Sequence, residues 1–200
     1  MRNYLKTVTL GAFTWRNEGR IALLFAYIRK TGVFYLVLHF FLVTLCLNFP
    51  LMVGVTRLSP YQLYTRMYGD NFVYALPESV REAFTGDTVI APVYIDDFNI
   101  MMTDNGYGRN VLLPLLGINL VIILIIQAVF YLCSAIFLGL SRMNVAPITF
   151  RNRFGLAVFS STLPVLAASV IGLVLPAVHV VIFYFIVIFL VFQRSSLFTS

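Results

Sequence analysis

The sequence predicts an all-α polytopic membrane protein with four transmembrane helices, both termini inside the cell, and a small α+β extracytoplasmic loop region between spans 1 and 2. Three observations predict this class. Of the 200 residues, 60% are hydrophobic and 11% are charged, which is less than half the usual charged share of a soluble domain. Segments 31–56, 110–141 and 154–193 contain no charged residue. Basic residues flank these segments, as they do in membrane proteins with a defined orientation.

The first 30 residues are predicted to be a cytoplasmic segment, because they carry six Lys and Arg residues and one acid. Within this segment, the residues from Thr14 to Lys30 are predicted to form an amphipathic helix at the membrane interface. Four apolar residues recur there at the spacing of one helix face: Ile21, Leu24, Phe25 and Ile28. The alternative is that this face docks a partner protein.

The first two uncharged segments are each predicted to be one span, because a bilayer core needs about 20 apolar helical residues. Span 1 is residues 31–56, where Pro50 is suited to a kink. This segment is longer than the apolar part of a signal peptide, so it is expected to remain as an anchor. Span 2 is residues 110–141, with Pro114 in its first turn.

The third uncharged segment is too long for one span and is about right for two. Pro176 is expected to end one helix and start the next. This places span 3 at residues 154–175 and span 4 at residues 176–193, as a tight helical hairpin.

The charges predict one orientation for all four spans. Residues 1–30, the loop 142–153 and the tail 194–200 are basic, whereas residues 57–109 hold seven of the eight acids. Because basic segments stay in the cytoplasm, both termini and the 142–153 loop are expected inside. The acidic 57–109 loop is expected outside.

The extracytoplasmic loop is long enough to have structure of its own. A short helix is predicted from Pro77 to Phe84, with proline at its start and acids in its first turn. The runs from Thr88 to Tyr94 and from Asn99 to Thr103 are rich in β-forming residues, and the residues from Asp104 to Gly106 are typical of a turn. These features together predict a small α+β cap.

Polar residues within the spans are the candidates for function, because ionisable groups in a membrane are rare and often functional. The candidates are His39, Asn119, Gln127 and His179, and Asn48 is a further polar residue in span 1. Amides in membrane helices usually bond to a neighbouring helix. Ala168 and Gly172 have the spacing of small residues that let two helices approach closely, either within the chain or against another chain.

The sequence predicts no catalytic, cofactor-binding or metal-binding residue. No acid lies within a span, and the patterns of metalloproteases, serine hydrolases and P-loop NTPases are absent. Asp96, Asp97 and Asp104 lack the spacing of a calcium loop. Cys46 and Cys133 lie in apolar segments, where cysteine is usually a small buried hydrophobe. Nucleic acid is not an expected partner, because the basic residues flank spans rather than form a patch.

Four short motifs mark this arrangement of spans and loops. They are Leu112-Leu113-Pro114, Ile148-Thr149-Phe150-Arg151, Ser161-Thr162-Leu163-Pro164, and the loop run from Ile95 to Gly106. With these motifs, the layout resembles a widespread family of uncharacterised bacterial four-span membrane proteins. Some members of that family are encoded near maltodextrin-uptake genes, and the family is distantly similar to the Yip family of trafficking proteins. The resemblance implies the four-span topology and a bacterial inner-membrane location, and it supplies no catalytic residue.

Three hypotheses about function follow from these residues. The leading one is a non-enzymatic accessory or regulatory component of a transport or envelope complex, whose partners are the lipid bilayer and either another membrane protein or copies of itself. The second is a small oligomeric channel or transporter, with His39, Asn119 and Gln127 lining a pore. The third is a membrane enzyme acting on lipid, with His39 or His179 and loop carboxylates.

Overall fold

The protein is described here by a computed structural model covering residues 1–14, 18–76, 78–82, 94–141, 149–175 and 178–196. Within these ranges there is no β-strand, so the all-α prediction is confirmed for them. The chain divides into two compact units. The first unit comprises residues 1–51 and 120–200, and the second comprises residues 52–119.

Ten α-helices lie in the described ranges. They are α1 (Arg2–Phe13), α2 (Glu18–Lys30), α3 (Val33–Thr56), α4 (Pro60–Tyr68), α5 (Glu78–Arg81), α6 (Ile95–Asp104), α7 (Leu113–Ser141), α8 (Phe150–Ser160), α9 (Thr162–Gly172) and α10 (His179–Ser196). A 3₁₀ segment (Gly69–Ala75) follows α4, and a π-helical turn (Gly108–Leu112) precedes α7.

Three helical segments of the described ranges are long and apolar enough to cross a membrane: Val33–Thr56, Gly108–Leu140 and Phe150–Gly172. They coincide closely with predicted spans 1, 2 and 3. The third consists of α8 and α9, which follow each other across Ser161. The segment predicted as span 4 contains a shorter apolar helix, His179–Arg194. The predicted helix break at Pro176 falls outside the described residues, between the end of α9 and the start of α10.

Side-chain hydrogen bonds and close contacts give the relative directions of the apolar helices α3, α9 and α10 in the first unit. His39 contacts Thr162 and Cys46 contacts Ser169, so α3 runs parallel to α9, with the same offset of 123 residues in both pairs. By contrast, Arg194 at the end of α10 bonds to Ser160 in the middle of the α8–α9 segment, while His179 at the start of α10 lies beside Gly172 at the end of α9. The helix α10 therefore runs antiparallel to α8 and α9.

The helices α1 and α2 form an antiparallel hairpin against α8. The Lys6 ammonium group donates to the Tyr27 hydroxyl at 3.2 Å, and the hydroxyls of Thr7 and Thr31 lie 2.9 Å apart. The apolar face predicted for α2 is covered by protein, since its four residues are each at most 3% exposed: Ile21, Leu24, Phe25 and Ile28. This face is a core surface of the first unit, and the predicted location of α2 at a membrane interface stays a prediction.

The second unit has its own apolar core and a well-defined helix start. Ser59 begins α4 with a capping box, in which its side chain accepts from the Gln62 N–H and the Gln62 side chain accepts from the Ser59 N–H. Such a cap satisfies two backbone donors that a helix start leaves unpaired. The core contains aromatic and aliphatic residues from α4, the 3₁₀ segment and α6: Leu63, Tyr64, Phe72, Phe98 and Met102.

The prediction of a strand from Asn99 to Thr103 is wrong, because these residues belong to α6. Phe98 and Met102 are buried one helical turn apart, which is the periodicity of a helix face. Acids at the first turn of α6 also favour a helix. Hence the predicted α+β loop is helical in its described part, and residues 88–93 of the other predicted strand lie outside that part.

Two other predictions for this loop are confirmed. The predicted short helix is present as α5, while Pro77 and residues 83–84 lie outside the described residues. The predicted turn is also present, since Asn105 ends α6 and Gly106 has a φ of +77°, a conformation that favours glycine. Pro114 lies in the first turn of α7, as predicted.

Candidate functional site

The buried polar groups of the first unit gather around the break between α8 and α9. Three consecutive hydroxyl residues occupy this break: Ser160, Ser161 and Thr162. Pro164 follows in the first turn of α9, where its missing N–H is tolerated. Each hydroxyl bonds to a different helix, so the break joins three separate hydrogen-bond networks.

Thr162 and Tyr4 bond to the two ring nitrogens of His39 in α3. The Thr162 hydroxyl donates to the Phe159 carbonyl at 2.8 Å, so it must accept from His39 Nε2, which is 3.0 Å away. His39 Nδ1 then accepts from the Tyr4 hydroxyl of α1 at 3.2 Å. Both ring nitrogens are therefore used, and the bond to Thr162 favours a proton on Nε2.

Aromatic packing holds the same histidine in place. The His39 ring stacks on Phe159, with centroids 4.7 Å apart and planes 19° apart, and the Tyr4 ring meets His39 edge-on at 5.9 Å. The His39 side chain is 5% exposed. Within the described ranges no group of three metal-ligating residues is present. The geometry therefore gives His39 a packing role that joins α1, α3 and α9.

Ser161 ends a chain of hydrogen bonds that runs in one direction across three helices. The Tyr184 hydroxyl donates to Gln127 Oε1 at 3.0 Å, and Gln127 Nε2 donates to the Tyr131 hydroxyl at 3.0 Å. Tyr131 donates to Ser161 Oγ at 2.8 Å, and Ser161 donates to the Val158 carbonyl. Such chains strengthen each bond by polarisation. Gln127 and Tyr131 are completely buried, so this network connects α10, α7 and the α8–α9 break.

Ser160 bonds to a buried arginine that the sequence assigned to the cytoplasmic tail. Arg194 Nη1 donates to Ser160 Oγ at 2.7 Å, while Nε and Nη2 both donate to the Thr14 carbonyl, at 3.1 and 2.8 Å. Arg194 is 2% exposed. The guanidinium group therefore links the ends of α1, α8 and α10.

Ser169 bonds to the carbonyl of α3 that Pro50 leaves without a backbone donor, and His179 bonds to the next carbonyl. Proline has no N–H for the carbonyl four residues earlier, and its ring crowds that carbonyl. Ser169 Oγ donates to the Cys46 carbonyl at 2.7 Å, and His179 Nε2 bonds to the neighbouring Leu47 carbonyl at 3.0 Å. The Ser169 hydroxyl thus replaces the missing backbone bond, and His179 joins α10 to the same part of α3.

The two small residues of α9 are both buried. A Cβ atom on Gly172 would lie 2.7 Å from His179 Cγ and 2.8 Å from the Pro50 side chain, which is closer than real Cβ atoms approach. Gly172 therefore lets α3 and α10 close on α9. Ala168 lies one turn earlier and is 1% exposed. The close approach that the small-residue spacing predicted occurs here within the chain.

The two asparagine candidates, Asn119 and Asn48, take part in none of these hydrogen-bond networks. Asn119 is half-buried in the second unit, eight residues before Gln127 on α7. Asn48 of α3 is completely buried, and neither atom of its amide group has a hydrogen-bond partner among the described residues. Of the four candidates from the sequence, the structure brings His39, Gln127 and His179 into intramolecular networks, and it leaves Asn119 outside them.

Sequence reasoning missed Arg194, Tyr131 and Ser160. Arg194 follows the last apolar segment directly, so its charge was interpreted as a flanking residue, and Tyr131 has no unusual sequence context. The sequence did contain one signal for Ser160. Three consecutive hydroxyl residues, Ser160 to Thr162, lie within an apolar segment, where hydroxyl groups are costly unless they form hydrogen bonds.

The first unit also has an apolar pocket between α7 and α10. Its volume is about 290 Å³. The lining side chains are mostly aromatic and aliphatic: Phe130, Cys133, Ser134, Phe137, Leu138, Ile188, Val191 and Phe192. The Ser134 hydroxyl donates to the Phe130 carbonyl, so the pocket offers apolar contact and the exposed thiol of Cys133.

Comparisons of the chain with protein-family models, with curated proteins and with solved structures found no match. The resemblance to the bacterial four-span family therefore stays a prediction based on the motifs given above.

Proposed function

We propose that the chain is a four-span protein of the bacterial inner membrane with both termini in the cytoplasm. The directions of the helices support four crossings. The helix α3 runs parallel to α9, whereas α7 and α10 each bond to the α8–α9 segment in antiparallel order. The apolar helix His179–Arg194 is about 24 Å long at 1.5 Å per residue, which is shorter than a bilayer core of about 30 Å, so the fourth crossing is the part of this proposal that rests on the uncharged sequence 154–193.

The proposed function is that of a non-enzymatic accessory or regulatory component of a transport or envelope complex. One observation carries this proposal: His39, Gln127 and His179, three of the four polar candidates within the apolar segments, bond to other helices of the same chain. His39 uses both ring nitrogens, and Gln127 uses both amide atoms. A membrane protein with this arrangement is a rigid scaffold whose outward surfaces remain available for a partner.

The same observation weighs against a pore lined by His39, Asn119 and Gln127. A pore-lining side chain must face water or a passing solute, whereas His39 and Gln127 are at most 5% exposed. A lipid-modifying enzyme built on His39 is disfavoured for the same reason, because its ring has no nitrogen left for a substrate.

Crosslinking from the apolar pocket tests the proposal. Changing Cys46 to Ser leaves Cys133 as the one cysteine of the chain, and a thiol-directed photocrosslinker attached there reports what lies against α7 and α10. The matched control carries Cys46→Ser, Cys133→Ser and Ile136→Cys, because Ile136 is exposed on α7 without lining the pocket. Products are extracted from native membranes and identified by mass spectrometry.

We expect a subunit of a transport or envelope complex in stoichiometric yield from Cys133 and little from the control. Deleting the gene for this chain should then reduce the activity of that complex. Crosslinks only between copies of this chain, together with solute flux in liposomes, would overturn the proposal in favour of a channel.

A further inference from the structure

Arg194 is a buried cation with no carboxylate partner in the described part of the chain. Its three hydrogen bonds go to the Thr14 carbonyl and the Ser160 hydroxyl, and among the described residues no acid bonds to it. Burying an unpaired charge is expensive because water no longer solvates it. The ends of α1 and α8 supply partial negative charge, which offsets part of that cost.

Several hydrogen-bond donors around Arg194 have no acceptor. A guanidinium group has five N–H donors, of which three are used here, so two have no acceptor in the described part of the chain. The Thr14 hydroxyl is buried and has no hydrogen-bond partner among the residues that the structure describes. Ser160 accepts from Arg194 and donates to no group in the described ranges. A positive charge with unused N–H and O–H donors is the complement of an oxyanion.

The Thr14 carbonyl occupies the place in which such an anion would bind. Arg194 Nε and Nη2 converge on this one oxygen at 3.1 and 2.8 Å, along the edge that guanidinium groups present to phosphate and carboxylate oxygens. Thr14 is the residue that ends α1. A ligand oxygen could therefore replace its carbonyl by moving only the end of one helix.

We propose that Arg194, Ser160 and Thr14 form a binding site for a phosphate group, which displaces the Thr14 carbonyl and releases the C-terminal end of α1. A phosphate matches the donors better than a carboxylate, because it brings more oxygens to the guanidinium and the two hydroxyls. The group is either free phosphate or the headgroup of an anionic phospholipid. This site goes beyond the accessory role proposed above, and it couples ligand binding to the position of α1.

The single tryptophan of the chain gives a local signal for this proposal. Trp15 directly follows Thr14, so movement at the end of α1 should change its fluorescence. The full chain is reconstituted in phosphatidylcholine nanodiscs and titrated with inorganic phosphate, with chloride at equal ionic strength as the reference. In a second arm, phosphatidylglycerol replaces part of the phosphatidylcholine. A saturable change in fluorescence during the phosphate titration indicates that the site binds free phosphate. A change that occurs only with phosphatidylglycerol indicates that the site binds a lipid headgroup.

Substitutions connect the signal to the site. Arg194→Gln should raise the apparent Kd at least about tenfold, because charge-assisted bonds to the anion are lost. Ser160→Ala should raise it about threefold, as one neutral hydrogen bond is lost. The matched control is Arg29→Gln, which removes an exposed arginine from α2 of the same unit and should change the Kd less than about twofold.

If Arg194→Gln does not fold, Arg194→Lys keeps the charge but loses the converging N–H pair, and it should weaken binding more than Arg29→Gln does. The proposal is overturned if the wild-type chain gives no saturable change in either arm. It is equally overturned if Arg29→Gln weakens binding as much as the substitutions at Arg194 and Ser160.

Discussion

Removing one hydroxyl from the centre of the α7 network should destabilise the first unit measurably. In Tyr131→Phe, the ring stays in place while Gln127 Nε2 loses its acceptor and Ser161 Oγ loses its donor. Leaving a buried polar group unpaired costs about 1–3 kcal/mol, although hydrogen bonds between membrane helices average only about 0.6 kcal/mol. Two polar groups lose a partner in a completely buried site. We therefore expect the free energy of unfolding to fall by about 1–2 kcal/mol.

The measurement is reversible unfolding of the purified chain in mixed micelles with rising SDS, followed by circular dichroism. Tyr35→Phe is the matched control, because Tyr35 is a half-buried tyrosine of the same unit that packs on Tyr4 through its ring, and it should change stability by less than about 0.5 kcal/mol. A double variant with Ser161→Ala should be less unstable than the sum of the single variants. Equal effects of Tyr131→Phe and Tyr35→Phe would refute the reasoning.

Three further predictions concern packing, capping and pH. Gly172→Ala forces a methyl group against His179, so it should lower stability by about 1–3 kcal/mol, measured in the same SDS titration; an unchanged midpoint would contradict the close packing. Ser59→Ala removes the capping box of α4 and should cost the second unit about 1 kcal/mol, seen as faster amide exchange in α4 than in the wild-type chain. Burial raises the pKa of both Tyr64 and Tyr107. Because their ordinary pKa of about 10 applies in the unfolded chain, the stability they contribute is complete below about pH 10 and is lost as pH rises toward their raised values. Absorbance at 295 nm should show fewer phenols ionising late in a Tyr64→Phe, Tyr107→Phe double variant than in the wild-type chain, and an equal number in both would contradict the prediction.

The sequence was sufficient for the features that depend on local composition and periodicity. Uncharged segments long enough for a bilayer can bury their backbone polar groups only as helices, so α3, α7 and the α8–α9 segment follow from residue order alone. The apolar spacing of α2 was also clear from the sequence. The same spacing does not say whether the face meets lipid or protein, and contact with α8 decides that question.

The strand prediction at Asn99–Thr103 shows where local propensity is insufficient. Isoleucine, methionine and threonine are accepted in both strands and short helices. The outcome depends on Phe98 and Met102, whose burial in one core favours helical spacing. The strand prediction rested on the β-forming residues alone and did not use the helical spacing of Phe98 and Met102, which are buried in the core of the second unit.

What the sequence determined by itself is where the apolar helices lie, because length and charge are properties of contiguous residues. Only the tertiary structure decided which polar side chains meet. Thr162 lies 123 residues after its partner His39, and Arg194 lies 180 residues after Thr14, distances at which no sequence pattern specifies a contact. The hydroxyls at the α8–α9 break and the guanidinium of Arg194 acquire their roles from helix packing, since a buried donor must find its acceptor wherever the fold places one.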